Sequence, residues 1–259
     1  MLLTADNDSN ELTAEFSKGA LVWYNFKNNS HIMYIYNDIP DDGVIDFLKS
    51  KGCVDTFHVG EDLLNKSDID YSVKYDYIVG IDILEECREV KRLLGICKLL
   101  LKPYGRLIIG AENRFAIKYF CGDRDPYTNH SFDGIEHYRR ITKQDENDIK
   151  GRCYSKKELY DMLASNGFGY NKFYSVMPDL KEAQLIYADG YKPVEELAMR
   201  YFPLYNYPES VFLEEEYLYT DLIKNGMFHI MANAFLIECS IDNSFDSTLH
   251  ATISLDRGK

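Results

Sequence analysis

The sequence predicts an α/β fold with a parallel sheet, and three neighbouring segments support this prediction. Tyr75 to Ile83 is a nearly continuous apolar run, as expected of a strand buried on both faces. Residues 85–101 repeat apolar side chains at helical spacing, which predicts an amphipathic helix. After a turn predicted at Lys102 to Gly105, Arg106 to Gly110 reads as a second buried strand. A strand, a helix and a strand in this order predict a βαβ unit.

Two further strands and a helix are predicted in the N-terminal half. His31 to Tyr36 is a compact apolar and aromatic segment, and Val54 to Val59 alternates as a strand does. Between them, Asp41 and Asp42 predict a helix start, because carboxylates stabilise the positive end of a helix. Gly52 is expected to end this helix.

The C-terminal half is predicted to close the sheet. Residues 154–166 predict a helix with Ser155 as its N-cap and Glu158 completing a capping box. Lys172 to Met177 and the end of Phe228 to Cys239 predict strands.

We expect three parts along the chain. These are an N-terminal segment at 1–28, one sheet domain at 29–240, and a flexible tail at 241–259 that is rich in Ser, Thr and Asp. Residues 111–150 and 180–227 concentrate aromatic side chains outside the predicted strands, so we expect them to be lid segments over a ligand.

Composition excludes several classes of function. The chain has 259 residues, with 42 acidic and 29 basic side chains and a net charge of −13, so no nucleic-acid partner is expected. No apolar run is long enough to span a membrane. The six cysteines are scattered without a C-x-x-C pair, which predicts reduced thiols, a cytoplasmic location and no metal site.

Several stretches resemble a bacterial family of class I S-adenosylmethionine-dependent methyltransferases that is often encoded with surface-glycan enzymes. They are YDYIVGIDILEE at 75–86, LLLKPYGRLIIGAENRFAIKYFCG at 99–122, FDGIEHY at 132–138 and GRCYSKKEL at 151–159. The resemblance implies a Rossmann-like sheet and methyl transfer to a hydroxyl of a glycan or glycan precursor.

The resemblance also implies roles for individual residues. Asp82 and Glu85 follow the central strand and would be the catalytic residues, with a carboxylate as general base. The residues expected to bind the substrate are Asn113, Arg114, Lys118, Tyr119, Asp133 and Tyr138. The residues expected to bind S-adenosylmethionine are Asn37, Asp38, Asp62 and Gly80.

The N-terminal half departs from the family pattern. The glycine-rich turn that lets the cofactor approach the backbone is missing, since no G-x-G occurs before residue 75. The half is also about one strand–helix unit short. Either His31 to Tyr36 is the first strand with an altered cofactor turn, or it is the second strand. We favour the second alignment, in which the first strand has eroded into Ala20 to Phe26.

Two functions remain open on the sequence alone. One is an S-adenosylmethionine-dependent methyltransferase acting on a small-molecule or glycan substrate. The other is a non-catalytic homologue that binds a ligand or serves as a scaffold subunit for a protein partner.

Overall fold

The computed structural model describes residues 19–66, 69–141, 149–193, 197 and 211–253. The predictions for residues 1–18 and 254–259, and for parts of both predicted lid segments, fall outside these residues.

Helices and strands alternate through the first half of the described chain, and strands dominate the second. The strands are β1 (Ser30–Tyr36), β2 (Gly52–His58), β3 (Tyr75–Ile81), β4 (Leu101–Glu112), β5 (Tyr170–Met177), β6 (Leu185–Ala188), β7 (Ala234–Ser240) and β8 (Ala251–Ile253). The α-helices are α1 (Asp42–Lys49), α2 (Val90–Leu100), α3 (Ile117–Cys121), α4 (Lys156–Ser165), α5 (Tyr219–Lys224) and α6 (Phe228–Met231). Gly19–Trp23 and Glu215–Tyr217 form 3₁₀ helices, and Val59–Leu64 forms a π-helix.

The strands form one mixed sheet in the order β2-β1-β3-β4-β7-β5-β6-β8. Strands β2, β1, β3 and β4 are parallel, and β7, β5, β6 and β8 are joined to the sheet by antiparallel pairs. The predicted α/β class with a Rossmann-like sheet is therefore confirmed.

The direction of the strand order reverses between β1 and β3. From β1 the chain passes through α1 to β2 at one edge of the sheet, whereas from β3 it passes through α2 to β4 on the other side. In open α/β sheets this reversal leaves a crevice at the carboxyl ends of the two strands, where ligands bind.

The neighbourhood of β1 bears on the two alignments. Strand β1 pairs directly with β3, as a first strand does and as a second strand would if the first is lost. The favoured alignment places an eroded first strand at Ala20 to Phe26. Residues 19–23 form a 3₁₀ helix, and no strand of the described chain lies between β1 and β3. The described residues between β1 and β3 form one α-helix, one strand and the π-helix, in agreement with the expected shortened N-terminal half.

Local capping signals are reproduced by the structure. The Asp41 carboxylate accepts a hydrogen bond from the backbone N–H of Val44 at 3.1 Å, so it is the N-cap of α1. At α4 both halves of the predicted capping box between Ser155 and Glu158 are present.

The predicted turn at Lys102 to Gly105 is wrong. These residues belong to β4, which pairs Tyr75 with Leu101 and Tyr77 with Arg106, so the residues between Leu101 and Arg106 bulge out of the ladder. A bulge accommodates a proline, which has no N–H to donate to the ladder.

The chain after β7, which the sequence predicts to be a flexible tail, contacts the sheet as far as it is described. Strand β8 pairs with β6, and the Tyr77 hydroxyl donates to the Asp246 carboxylate at 2.7 Å. Residues 241–253 therefore pack on the sheet. No helix among the described residues is both long and apolar enough to cross a membrane.

Candidate ligand site at the carboxyl edge of the sheet

A cleft of about 500 Å³ opens at the carboxyl ends of β3 and β4. The cleft carries acidic and basic groups together with one tyrosine ring from the segment after α3. Its lining residues are Asp82, Glu86, Glu112, Lys118, Tyr119, Asp123, Arg124, Pro126, Tyr127, Lys150, Asp179, Leu180 and Lys181. We call it the carboxyl-edge cleft.

Asp82 follows β3 directly and lies on one wall of the cleft. Its backbone φ is 55°, in the left-handed region that aspartate tolerates better than most residues. Its Oδ1 atom is buried and has no hydrogen-bond partner among the described residues. Burial, together with the nearby Glu112 carboxylate, raises the pKa of Asp82 to about 7.

Glu85 lies beneath this wall rather than in the cleft. Its side chain is only 3% exposed, and its Oε1 atom accepts a hydrogen bond from the backbone N–H of Glu112 at 2.8 Å. Burial and the nearby Asp82 carboxylate raise the pKa of Glu85 well above its usual value. Glu85 therefore ties the turn after β3 to the end of β4.

Lys118 and Glu112 form an ion pair in the cleft. The ammonium of Lys118 lies 2.6 Å from the Glu112 carboxylate, and both side chains are largely buried. Burial alone would lower the pKa of Lys118, but the Glu112 carboxylate outweighs it and raises that pKa. Lys118 therefore stays charged and can donate to a ligand.

Two residues expected to bind substrate, Asn113 and Arg114, are hydrogen-bonded to other parts of the chain. The amide of Asn113 donates to the carbonyls of Ile230 and Ala232 at 2.8 and 2.7 Å, and its side chain is fully buried. Arg114 donates to the Glu158 carboxylate at 2.7 Å and to the carbonyl of Gly134 at 3.2 Å. Neither residue lines the cleft, and their donors satisfy buried or partly buried acceptors.

Asp133 and Tyr138 also lie outside the cleft. The Asp133 carboxylate accepts from Arg140 at 2.9 Å. The Tyr138 hydroxyl donates to Asp125 at 2.8 Å and accepts from the backbone N–H of Cys153 at 2.7 Å. These contacts hold the segment after α3 in place. Of the six residues expected to bind the substrate, Lys118 and Tyr119 line the cleft.

The four residues expected to bind the cofactor have other contacts. Asn37 donates to the carbonyl of Asp82 at 2.9 Å, and Asp38 pairs with Lys150. The Asp62 carboxylate accepts from the backbone N–H of His58 at 2.8 Å. Gly80 lies within β3, where an added Cβ would stand 2.3 Å from the Ile83 side chain, so the packing of the sheet accounts for this glycine.

Several lining residues are not predicted from the sequence, among them Tyr127, Lys150 and Lys181. They come from three separate segments that only the folded chain brings together. One signal was available, because Lys181 closely follows the strand predicted at Lys172 to Met177.

No protein-family model and no curated protein matches the sequence. Solved structures similar to it include a methyltransferase from Thermotoga maritima described as a possible histamine N-methyltransferase (13% identity, covering 91% of this chain and 95% of that one, TM-score 0.44). An S-adenosylmethionine-dependent methyltransferase from Archaeoglobus fulgidus is similar at 13% identity, covering 89% and 94%, with a TM-score of 0.45. A third similar structure is the complex between the Haloferax volcanii methyltransferase activator Trm112 and a putative methyltransferase. The identity is 12%, the match covers 92% of this chain and 95% of that one, and the TM-score is 0.44. At these identities the likeness concerns the fold alone.

Proposed function

We propose that the chain is a methyltransferase-like protein that binds a hydroxylated small molecule, such as a sugar of a glycan precursor, in the carboxyl-edge cleft. The observation that carries this proposal is the convergence of the Asp82 carboxylate with the paired Glu112 and Lys118 at the edge where α/β sheets bind ligands.

The chemistry of the lining suits a sugar. Carboxylates accept hydrogen bonds from hydroxyl groups, and the Lys118 ammonium donates to hydroxyl oxygens. Tyr127 is half-buried in the same wall and presents an aromatic ring to the apolar face of a sugar ring. The Oδ1 atom of Asp82 lacks a partner among the described residues and would gain one from a bound hydroxyl.

The residues around the end of β1 do not fit S-adenosylmethionine. The turn after β1 has no glycine before Gly43, and the Asn37 side chain already crosses the crevice to Asp82. Strand β2 is the outermost strand, so no strand of the described chain lies beyond it to wall an adenine.

Binding without methyl transfer is therefore the function that the geometry supports best. Methyl transfer from S-adenosylmethionine to the bound hydroxyl is the second candidate. One observation favours it, because a carboxyl group with a pKa of about 7, such as that of Asp82, is suited to act as a base at neutral pH.

Calorimetry with S-adenosylmethionine and S-adenosylhomocysteine distinguishes the two candidates. We expect no binding heat and no thermal shift at high protein concentration, because the crevice between β1 and β3 is crossed by the Asn37 hydrogen bond. Micromolar binding of either compound would contradict this expectation and favour the methyltransferase.

The ligand site itself can be tested with simple sugars. We expect glucose, galactose, mannose or N-acetylglucosamine to shift NMR signals of residues lining the cleft. Lys118→Met should weaken the affinity for the binding sugar by about tenfold to a hundredfold, since a hydrogen bond from a charged group is lost.

Two further variants make this test decisive. Tyr127→Ala removes the proposed stacking ring without touching the ion pair of Lys118 and should also weaken binding. Lys224→Met is the control, because Lys224 is an exposed residue of α5 outside the cleft. Equal affinities in the wild type, Lys118→Met and Tyr127→Ala would overturn the proposal.

A further inference from the structure

Three potential metal ligands lie together at the opposite, amino-terminal edge of the parallel strands. Strands β1 and β2 run parallel with His31 in register with Cys53 and Met33 with Asp55. Residues 53 and 55 share one face of β2, because side chains alternate along a strand. His31 lies beside Cys53 on the neighbouring strand, so an imidazole, a thiol and a carboxylate meet on one face.

The distances suit a single ion. The Nε2 atom of His31 lies 2.8 Å from Oδ2 of Asp55, and the ligand atoms of all three residues lie within 4.8 Å of one another. A tetrahedral zinc ion has bonds of about 2.0–2.3 Å to nitrogen, oxygen and sulfur ligands, so its ligands stand a few ångströms apart. Cys53 is exposed, and His31 and Asp55 are half-buried, which leaves one side open to solvent.

Neighbouring residues hold the ligands in place. The Tyr75 hydroxyl donates to Oδ2 of Asp55 at 3.0 Å, and the Tyr75 ring lies against the His31 ring with the centroids 4.5 Å apart. The backbone N–H of His31 donates to the Asp76 carboxylate at 2.8 Å. Hydrogen bonds to ligating groups of this kind orient the ligands of metal sites.

The access route to this cluster is open. His31 and Cys53 line a surface cavity of about 780 Å³ at the amino ends of β1 and β2. Two lysines line the same cavity, and one of them, Lys51, has its ammonium 5.3 Å from the centre of the Phe47 ring. Because Cys53 is exposed at this cavity, an ion from solvent can reach its thiol directly.

We propose that His31, Cys53 and Asp55 bind a divalent transition-metal ion, with Zn²⁺ as the best match and water in the remaining position. A thiolate, an imidazole and a carboxylate are the ligand types that zinc takes in proteins. Binding would form a metal–sulfur bond and release the thiol proton of Cys53 to solvent. The cluster lies at the edge of the sheet opposite the carboxyl-edge cleft, so this site is independent of the proposed function.

Cobalt substitution tests the site through the sulfur ligand. We expect one equivalent of Co²⁺ to bind the full chain and to produce thiolate-to-cobalt charge-transfer absorption together with the visible bands of a tetrahedral ion. Zn²⁺ should abolish these bands. Cys53→Ser should remove the charge-transfer absorption. Tyr75→Phe should lower the affinity for Co²⁺ by about tenfold to a hundredfold, and His31→Gln should lower it further.

Thiol protection supplies a second measurement. Cys53 is the one exposed cysteine of the six, all of which lie in the described chain, so iodoacetamide should alkylate it first. Zn²⁺ should slow this reaction in the wild type and in the control His250→Gln, but not in His31→Gln or Asp55→Asn.

The ligands are at least partly exposed, so the variants should fold, and circular dichroism checks this. Charge-transfer absorption that persists in Cys53→Ser, or equal protection in the wild type and His31→Gln, would overturn the proposal. Absence of any metal-dependent signal would do the same and would leave a His31–Asp55 ion pair beside a free thiol.

Discussion

Arg106→Met is expected to lower the free energy of unfolding by about 3 to 5 kcal/mol, because it removes one partner of a buried ion pair. The Arg106 side chain is 2% exposed, and its Nε atom lies 3.8 Å from the Glu238 carboxylate, which is itself fully buried. Met keeps most of the apolar volume of the arginine stem, so loss of charge and hydrogen bonds dominates the effect.

The other contacts of Arg106 explain why the loss is large. Its guanidinium donates to the carbonyls of Tyr104 and Gly105, both at 2.9 Å, and contacts Asp242 at 3.4 Å and Ser244. It therefore joins the β4 bulge to the chain after β7. Without it, Glu238 would remain buried without its cation.

Urea denaturation measures this prediction, and the chain offers a matched control. Lys102 belongs to the same strand, but its ion pair with Asp76 is partly exposed, so Lys102→Met should cost about 1 kcal/mol or less. The double variant Arg106→Met with Glu238→Gln should recover part of the loss, since no unpaired charge is left. A loss in Arg106→Met as small as that of Lys102→Met would show that the buried pair contributes little.

Asp82→Asn is expected to stabilise the protein at pH 8 by about 2 to 4 kcal/mol more than at pH 4. The fold raises the pKa of Asp82 to about 7, so the folded state binds more protons than the unfolded state above pH 4. The wild type therefore loses this contribution as the pH rises through 7. Asparagine stays neutral at every pH, and it tolerates the positive φ at this position.

The same reasoning extends to the neighbouring buried acids. Burial and the nearby Asp82 carboxylate raise the pKa of Glu85 well above its usual value. Burial raises the pKa of Glu215 to about 7. Both add to the loss of stability with rising pH.

Urea denaturation at intervals from pH 4 to pH 8 compares the wild type with Asp82→Asn and with the control Glu89→Gln. Glu89 is exposed, so its variant should follow the wild type at every pH. A difference between Asp82→Asn and the wild type that does not change with pH would show that Asp82 is an ordinary surface carboxylate.

Part of the candidate site could be predicted from the sequence. Asp82 follows a strand that is evident in the sequence, and the family resemblance implies ligand-binding roles for Lys118 and Tyr119. All three residues line the cleft. Asn113 and Arg114 have the right residue types and the right sequence position. Their donors are nevertheless used by backbone carbonyls and by Glu158, which no local pattern shows.

Structural features that depend on residues close together in the chain, such as strands, helices and N-caps, could be predicted from the sequence. The β3–α2–β4 unit follows from apolar periodicity, and the N-caps at Asp41 and Ser155 from side chains that bond to the backbone three residues on. Strand pairing depends on contacts between distant segments. The position of β1 beside β3, the bulge opposite Asp76 and the cluster of His31 with Cys53 and Asp55 depend on the tertiary structure. In each case packing brings together groups that the linear chain keeps apart.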